Sequence, residues 1–214
     1  MKNKITAIVL TNNEEKHILR CISSLRNVVS RIVVIDSFST DNTLKILKEN
    51  KIEYFQKAWI NYSSQFNWGI EKADVKNGWI LRIDPDEVLS KNFQEKIIPF
   101  LDNLAPNICG VSILRRYIFL GKEINKGGDF PQQGVRIWKT NKGKCENTWS
   151  DEHIEVDGDI IVSDLDIIDN NINNIAWWTD KHNRFAEREM IEFFSNKKKK
   201  NFENETKMEK SEKF

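Results

Sequence analysis

Between residues 5 and 83, short apolar runs alternate with segments of helical spacing, and no other feature of the chain limits its fold so tightly. The runs fall at 5–10, 31–35 and 79–83, with 52–55 as a short third strand between the last two. Between them lie Ile18, Cys21, Ile22 and Leu25, then Leu44 and Leu47, then a stretch at 62–73 with Phe66 and Ile70 at helical positions. A short continuous apolar run bounded by polar residues reads as a strand buried on both faces. Alternation of such strands with helices implies right-handed crossovers and a parallel sheet. The expected class is therefore α/β, with a Rossmann-like, mostly parallel sheet flanked by helices.

Each of these strands ends in polar residues, and open α/β sheets bind ligands outside the carboxyl ends of their strands. The first is followed by Thr11-Asn12-Asn13-Glu14, the second by Asp36-Ser37-Phe38-Ser39-Thr40-Asp41-Asn42-Thr43, and the fourth by Asp84-Pro85-Asp86-Glu87. Asp84 and Asp86 lie two apart, so in an extended segment they face the same way. Two hard oxygen ligands aimed at one spot suit Mg²⁺ or Mn²⁺, which completes its shell with phosphate and water. A polar turn is the competing reading, since Asp-Pro commonly starts one. Neither G-x-G-x-x-G after the first strand nor G-x-x-x-x-G-K-[ST] anywhere is present, which argues against a dinucleotide dehydrogenase or a P-loop enzyme. A nucleotide would have to be held without a glycine-rich cradle, which again points to a metal.

Beyond Glu87 the pattern predicts a helix over 90–101, a strand over 108–114, a long functional loop over 115–134 and a strand over 135–138. Residues 154–168 alternate acids with Ile and Val, the pattern of a strand at the rim of the sheet. A helix is expected from Asp180. The lysine-rich stretch 196–214 has almost no apolar content and reads as disordered or as a frayed helix. One domain is expected over 1–195, with a nucleotide-sugar half at 1–100 and an acceptor half at 101–195, followed by the basic tail. Lys and Arg total 33 against 32 Asp and Glu, so the chain lacks the basic field of a nucleic-acid binder. Cys21, Cys109 and Cys145 are scattered, with no CxxC pair, which points away from zinc and disulfides and towards a reducing cytoplasm. No run approaches the ~20 apolar residues of a membrane span, and residues 1–10 read as a strand rather than a signal peptide.

Four segments in this order resemble family 2 glycosyltransferases of the GT-A fold: 11–14, 36–43, 84–87 and Trp149-Ser150-Asp151-Glu152-His153. Later residues, including Lys181-His182-Asn183-Arg184-Phe185-Ala186, are similar to small bacterial enzymes related to lipopolysaccharide-core β-1,4-glucosyltransferases. The resemblance covers roughly 1–190. It implies an inverting, metal-dependent hexosyltransferase that takes a nucleotide-diphosphate sugar as donor and a surface glycan or glycolipid as acceptor.

The resemblance also implies roles. Thr11, Asn13 and Glu14 would meet base or ribose, and Asp36 would accept a base N–H; helix capping is the other reading of Asp36 and Thr43. Asp84 would bind ribose hydroxyls or metal-bound water, and Asp86 the Mg²⁺ or Mn²⁺ at the diphosphate. Glu87 is expected to be structural. Asp151 or Glu152 would deprotonate the acceptor hydroxyl, with Asp151 preferred. His153 and His182 are candidate third metal ligands or diphosphate contacts, and Arg184, with Lys181, a candidate phosphate contact. Trp177-Trp178, Phe193-Phe194 and the lysines at 197–200 suggest a peripheral contact with the inner face of a membrane, or simply an exposed basic tail. A sugar nucleotidyltransferase is the alternative enzyme, and a non-catalytic nucleotide- or glycan-binding module is the alternative outside catalysis.

Overall fold

The computed structural model describes residues 4–127, 130–146, 153–190 and 193–194. The chain opens with β1 (Ile5–Thr11), α1 (Ile18–Leu25), β2 (Arg31–Asp36), α2 (Thr43–Glu49), β3 (Glu53–Gln56), α3 (Tyr62–Ala73) and β4 (Trp79–Arg82). This is the expected alternation. It continues with β5 (Glu87–Leu89), α4 (Lys91–Asp102), β6 (Ile108–Phe119), β7 (Lys122–Ile124), β8 (Gln132–Lys139), β9 (Gly143–Cys145), β10 (Ile154–Val156) and β11 (Asp159–Asp169).

The large sheet runs β3-β2-β1-β4-β8-β6-β11-β5, with β7 paired to β6. From β3 to β4 every pairing is parallel. β8 then enters antiparallel to both β4 and β6, β11 lies parallel to β6, and β5 closes the edge antiparallel to β11. β1 is central to the parallel half and buried along its whole length. Its residues divide by parity, as alternating Cβ directions require. Ile5, Ala7 and Val9 join α1 and α4 in one apolar cluster. Ile8 and Leu10 join Phe66 of α3, Trp138, Cys145 and Ile154 in the other. A strand covered on both faces has no polar side to show, which is why its sequence is an unbroken apolar run.

α3 is capped by Asn61, whose side-chain oxygen accepts from the Ser64 amide at 2.8 Å. It lies close on the sheet because Gly69 has no side chain: a Cβ there would stand 2.7 Å from Ile35 Cγ1. α4 starts at Ser90, whose hydroxyl accepts from the Phe93 amide at 3.0 Å.

β4 and β5 are separated by residues 83–86, yet three strands lie between them in the sheet order. Four inter-strand spacings amount to about 19 Å on a flat sheet. The linking residues could cover about 17 Å if fully extended, and they are folded further by a turn in which the Glu87 amide donates to the Asp84 carbonyl at 3.0 Å. The sheet must therefore curl, bringing the β5 edge back towards β8 at the carboxyl end of β4.

Two expectations need correction. The stretch 115–134 is not a long loop: β6 runs on to Phe119 and turns through Leu120 and Gly121 into β7, both at positive φ (+48° and +77°), before β8 begins at Gln132. Positive φ at both central residues is the geometry of the tight hairpin turn, and a leucine at its first position hid it from sequence reading. Residues 154–168 are not a rim strand either. Ile154–Val156 pairs with β9 in a separate two-stranded sheet, and Asp159–Asp169 lies inside the large sheet between β6 and β5. Asp166 is buried there and answered by Ser90 Oγ at 2.7 Å and Arg116 at 3.1 Å, so its acid marks an internal partner rather than solvent.

The described residues fall into two compact units, one holding 4–146 and 153–172, the other beginning at Asn173. In the second, residues 175–190 are helical, starting earlier than expected because Asn174 Oδ1 accepts from the Trp177 amide at 2.9 Å. The stretch 196–214 lies outside the described residues.

Candidate active site

The loops leaving β1 and β2 are joined by side chains that answer each other's backbone. Asn13, at φ +58°, accepts from the Thr40 amide at 2.8 Å, and its own amide donates to Ser39 Oγ at 2.8 Å. The Glu14 amide donates to Thr43 Oγ1 at 2.8 Å, and the Glu15 amide to Asp41 at 3.0 Å. Burial would raise the Asp41 carboxyl, but hydrogen bonds from Thr43 and from neighbouring amides hold it below its ordinary value. Asp36 sits beneath this seam, fully buried. Its Oδ1 accepts from Thr11 Oγ1 (3.2 Å) and Ser39 Oγ, and its Oδ2 from the Ser39 amide (3.0 Å) and Gln56 Nε2 (3.0 Å). A carboxylate has about four lone-pair positions, and these four donors take them.

The exit of β4 is built differently. Exposure alternates from Ile83 to Glu87: Ile83, Pro85 and Glu87 are buried, while Asp84 and Asp86 are partly open. The two aspartates are thus the less covered residues of a stretch that is a turn rather than extended. Asp84 accepts from the Tyr62 hydroxyl at 2.9 Å and lies 3.7 Å from Arg136. Arg82 in turn donates to Tyr62 Oη at 2.8 Å and stacks over that ring at 4.4 Å. Burial would raise the Asp84 carboxyl, but Arg136, Arg82 and the Tyr62 hydroxyl hold it below its ordinary value.

Beneath them Glu87 is enclosed. It meets Arg136 at 2.9 Å and accepts from the Asp84 amide at 2.9 Å. Burial, with Asp84 and Asp169 adding to it against Arg136, pushes its carboxyl up to about 8. Glu87 shapes the turn that presents Asp84, the structural part expected of it.

Asp86 is tied to residues far along the chain. Its Oδ2 accepts from Asn171 Nδ2 at 2.9 Å, and its carbonyl from Arg20 at 3.0 Å and from the Asn170 amide at 3.1 Å. Arg20 also donates to the Asn170 carbonyl. The buried His17 accepts from the Ile172 amide through Nε2 at 3.1 Å, which leaves Nδ1–H to donate to Glu14 at 2.7 Å. Segment 170–172 is thereby strapped to both the β1 loop and the β4 exit.

Of the residues chosen from sequence, Thr11, Asn13, Glu14 and Asp36 come together at the first two strand ends, and Asp84 and Asp86 at the fourth. His153 is largely exposed and sits 3.6 Å from Glu146. His182 stacks on Trp178 at 3.7 Å between centroids and hydrogen-bonds the Trp178 carbonyl at 2.8 Å. Arg184 pairs with Asp180 at 3.0 Å, one helical turn away. Among the described residues no group of three His, Cys, Asp or Glu side chains forms a metal cage. Asp151 and Glu152 lie outside the described residues.

Residues 6–148 match the family model described as Glycosyl transferase family 2. The chain belongs to that family. A glycosyltransferase from Rickettsia felis is 39% identical over 94 residues, or 44% of this chain and 32% of that protein. The lipopolysaccharide core biosynthesis glycosyltransferase LpsC of Rhizobium meliloti is 27% identical over 150 residues, or 68% of this chain and 54% of that one. The chain thus spans about a third to a half of these relatives' length. Among solved structures, S. aureus TarS 1–349 in complex with UDP-GlcNAc superposes with a TM-score of 0.53 at 17% identity, covering 80% of this chain and 59% of TarS. That likeness is one of fold, and it agrees with the GT-A expectation.

Tyr62, Arg82, Arg136, His17 and Asn171 of this family 2 chain do not stand out as site residues in the sequence. Arg136 left a signal, as the one charge inside the apolar strand Val135–Trp138. Its partner Glu87 is 49 positions away, so only the curled sheet identifies it.

Proposed function

We propose that the chain is the donor-binding and catalytic part of an inverting glycosyltransferase. It moves a hexose from a nucleotide-diphosphate sugar to a surface glycan of the lipopolysaccharide or capsule type. The observation that carries this reading is that Asp84 and Asp86 are both partly open in the turn at the carboxyl end of β4, with the β1 exit next to it in the sheet and the β2 exit one strand further. Family membership and the name of the Rhizobium relative support it.

The donor set fits a divalent cation. Mg²⁺ and Mn²⁺ at nucleotide sites take one or two carboxylates and fill the remaining positions with phosphate and water, so a third protein ligand is not required. Asp86 would hold the ion directly and Asp84 through water or the ribose. His153 and His182 are then left to their present neighbours. When bound, the cation neutralises charge on the departing diphosphate. Asp86 supplies one oxygen held by Asn171 and a second with no partner among the described residues. Asp84 stays ionised because Arg136 and Arg82 surround it.

The seam of Asn13, Glu14 and Asp36 fixes the loops on which the nucleoside rests. Asp36 acts here as the fastener of that seam, because its oxygens are already taken. Asp151 removes the proton from the acceptor hydroxyl as its oxygen bonds to the anomeric carbon and the bond to the diphosphate breaks, with inversion; Glu152 is the second choice. Arg184 and Lys181 are candidates for the acceptor's or donor's phosphates.

Hydrolysis of a panel of nucleotide-sugars with and without Mn²⁺ tests the proposal. Cation-dependent release of sugar is expected, lost in Asp86→Asn at unchanged melting temperature. Donor binding without turnover under any condition would point to a binding module. Pyrophosphate formation from a sugar phosphate and a nucleoside triphosphate would point to a nucleotidyltransferase.

A further inference from the structure

Phe38 stands in the β2 loop with φ +56° and 56% of its surface exposed. Bulky side chains rarely adopt that backbone conformation, whereas glycine adopts it without strain. Both of its neighbours are pinned. The Ser37 amide donates to the Thr11 carbonyl at 2.8 Å, its carbonyl accepts from Asn12 at 2.9 Å, and its hydroxyl accepts from Gln65 at 2.9 Å. Ser39 is held by Asp36 and by the Asn13 amide. The backbone that carries this ring is thus pinned on both sides and strained, while the ring itself is open to solvent at the end of a parallel strand. At the adjoining exit, after β3, Trp59 is 47% exposed, and that exit is tied to the first by the Lys57 amide donating to the Asp36 carbonyl at 3.1 Å.

We propose that Phe38, with Trp59 from the neighbouring strand end, is the platform on which the donor's nucleobase stacks. The proposal rests on the donor reading given above and names the part of the ligand that this end of the sheet receives. β2 lies two strands from β4, about 10 Å across the sheet, comparable with the reach from a diphosphate to its base. A ring on a backbone that is already held loses only side-chain rotamer freedom on stacking. Beside it, Asn12 Oδ1 and Asn13 Nδ2 have no partner among the described residues. They offer one acceptor and one donor to the polar edge of a base, while the rings take its face.

Calorimetry with Mn²⁺ present, using UDP, GDP, ADP, CDP and base-less pyrophosphate, tests this. Wild type should bind at least one nucleotide more tightly than pyrophosphate. Phe38→Ala should weaken that nucleotide about tenfold or more and leave pyrophosphate binding unchanged. Phe38→Trp should retain nucleotide binding. Phe38→Gly should lose it while melting no lower than wild type, because the strain is relieved. Trp59→Ala should show a smaller loss of the same kind. Nucleotide binding unchanged in Phe38→Ala and Phe38→Gly, or an equal loss of pyrophosphate, would overturn the proposal. Wild type binding pyrophosphate but no nucleotide in preference to it would overturn it and leave the metal–diphosphate reading standing. Wild type binding neither would bring down both.

Discussion

Asp36 ends one parallel strand of the sheet and Asp86 lies just beyond another, yet their surroundings differ. Asp36 is fully buried and accepts four hydrogen bonds from its own chain. Asp86 is partly open, and among the described residues its carboxylate accepts one, from Asn171. The first is spent on holding two loops together, and the second has an oxygen with no partner among the described residues. An acid at a strand end is therefore not by itself a ligand site. How many of its lone pairs the fold has already used decides the matter.

The sharpest break would come at the charge network under the β4 exit. In urea unfolding at pH 9, where Glu87 is ionised, Arg136→Met leaves Glu87 and Asp84 without their shared cation and should cost about 3–5 kcal/mol. A loss under about 1 kcal/mol would show that the exit is not held by charge. Asp86→Asn should lower turnover by about a hundredfold or more, several kcal/mol of barrier, with unfolding unchanged.

Asp36→Asn should do the reverse. It strands at least one donor in the interior and should destabilise by about 1–3 kcal/mol, with donor affinity falling only as the fold loosens. If Asp36→Asn instead abolished nucleotide binding in a fully folded protein, the contrast between the two aspartates would collapse.

Stability should also change with pH, little over any one unit but cumulatively across the window. Glu87 has an ordinary carboxyl value of 4.5 and is pushed up to about 8 when folded. Between those values the native state binds more protons than the unfolded state, so stability should fall as pH rises through that window, by up to about 1.4 kcal/mol per pH unit. Asp84 acts oppositely: lowered in the fold, it contributes stability that is lost as pH falls below the ordinary 3.8. Denaturant titrations from pH 5 to 9 should show the Glu87 slope in wild type and its absence in Glu87→Gln. The slightest change is expected at the surface pair of Arg31 and Glu53, about a third exposed on each side, where Glu53→Gln should alter stability by less than about 1 kcal/mol.

What the sequence determined by itself is the parallel half and the location of its ligand end. Strands covered on both faces must be continuous apolar runs, and helices that cover them must repeat at helical spacing. Both are local patterns, so residues 5–83 could be read in order and the acids at 84–86 located. Tertiary structure decided everything that depends on which distant residues meet. It extended β6 past Arg115 and Arg116 because β8, β11 and β7 pair with it, and it moved β11 from the rim to the interior. It brought Arg136 to Glu87 and Asn171 to Asp86, across 49 and 85 positions. No period in a sequence encodes a partner at such a separation, because a hydrogen bond or ion pair depends on where the curled sheet brings two atoms together.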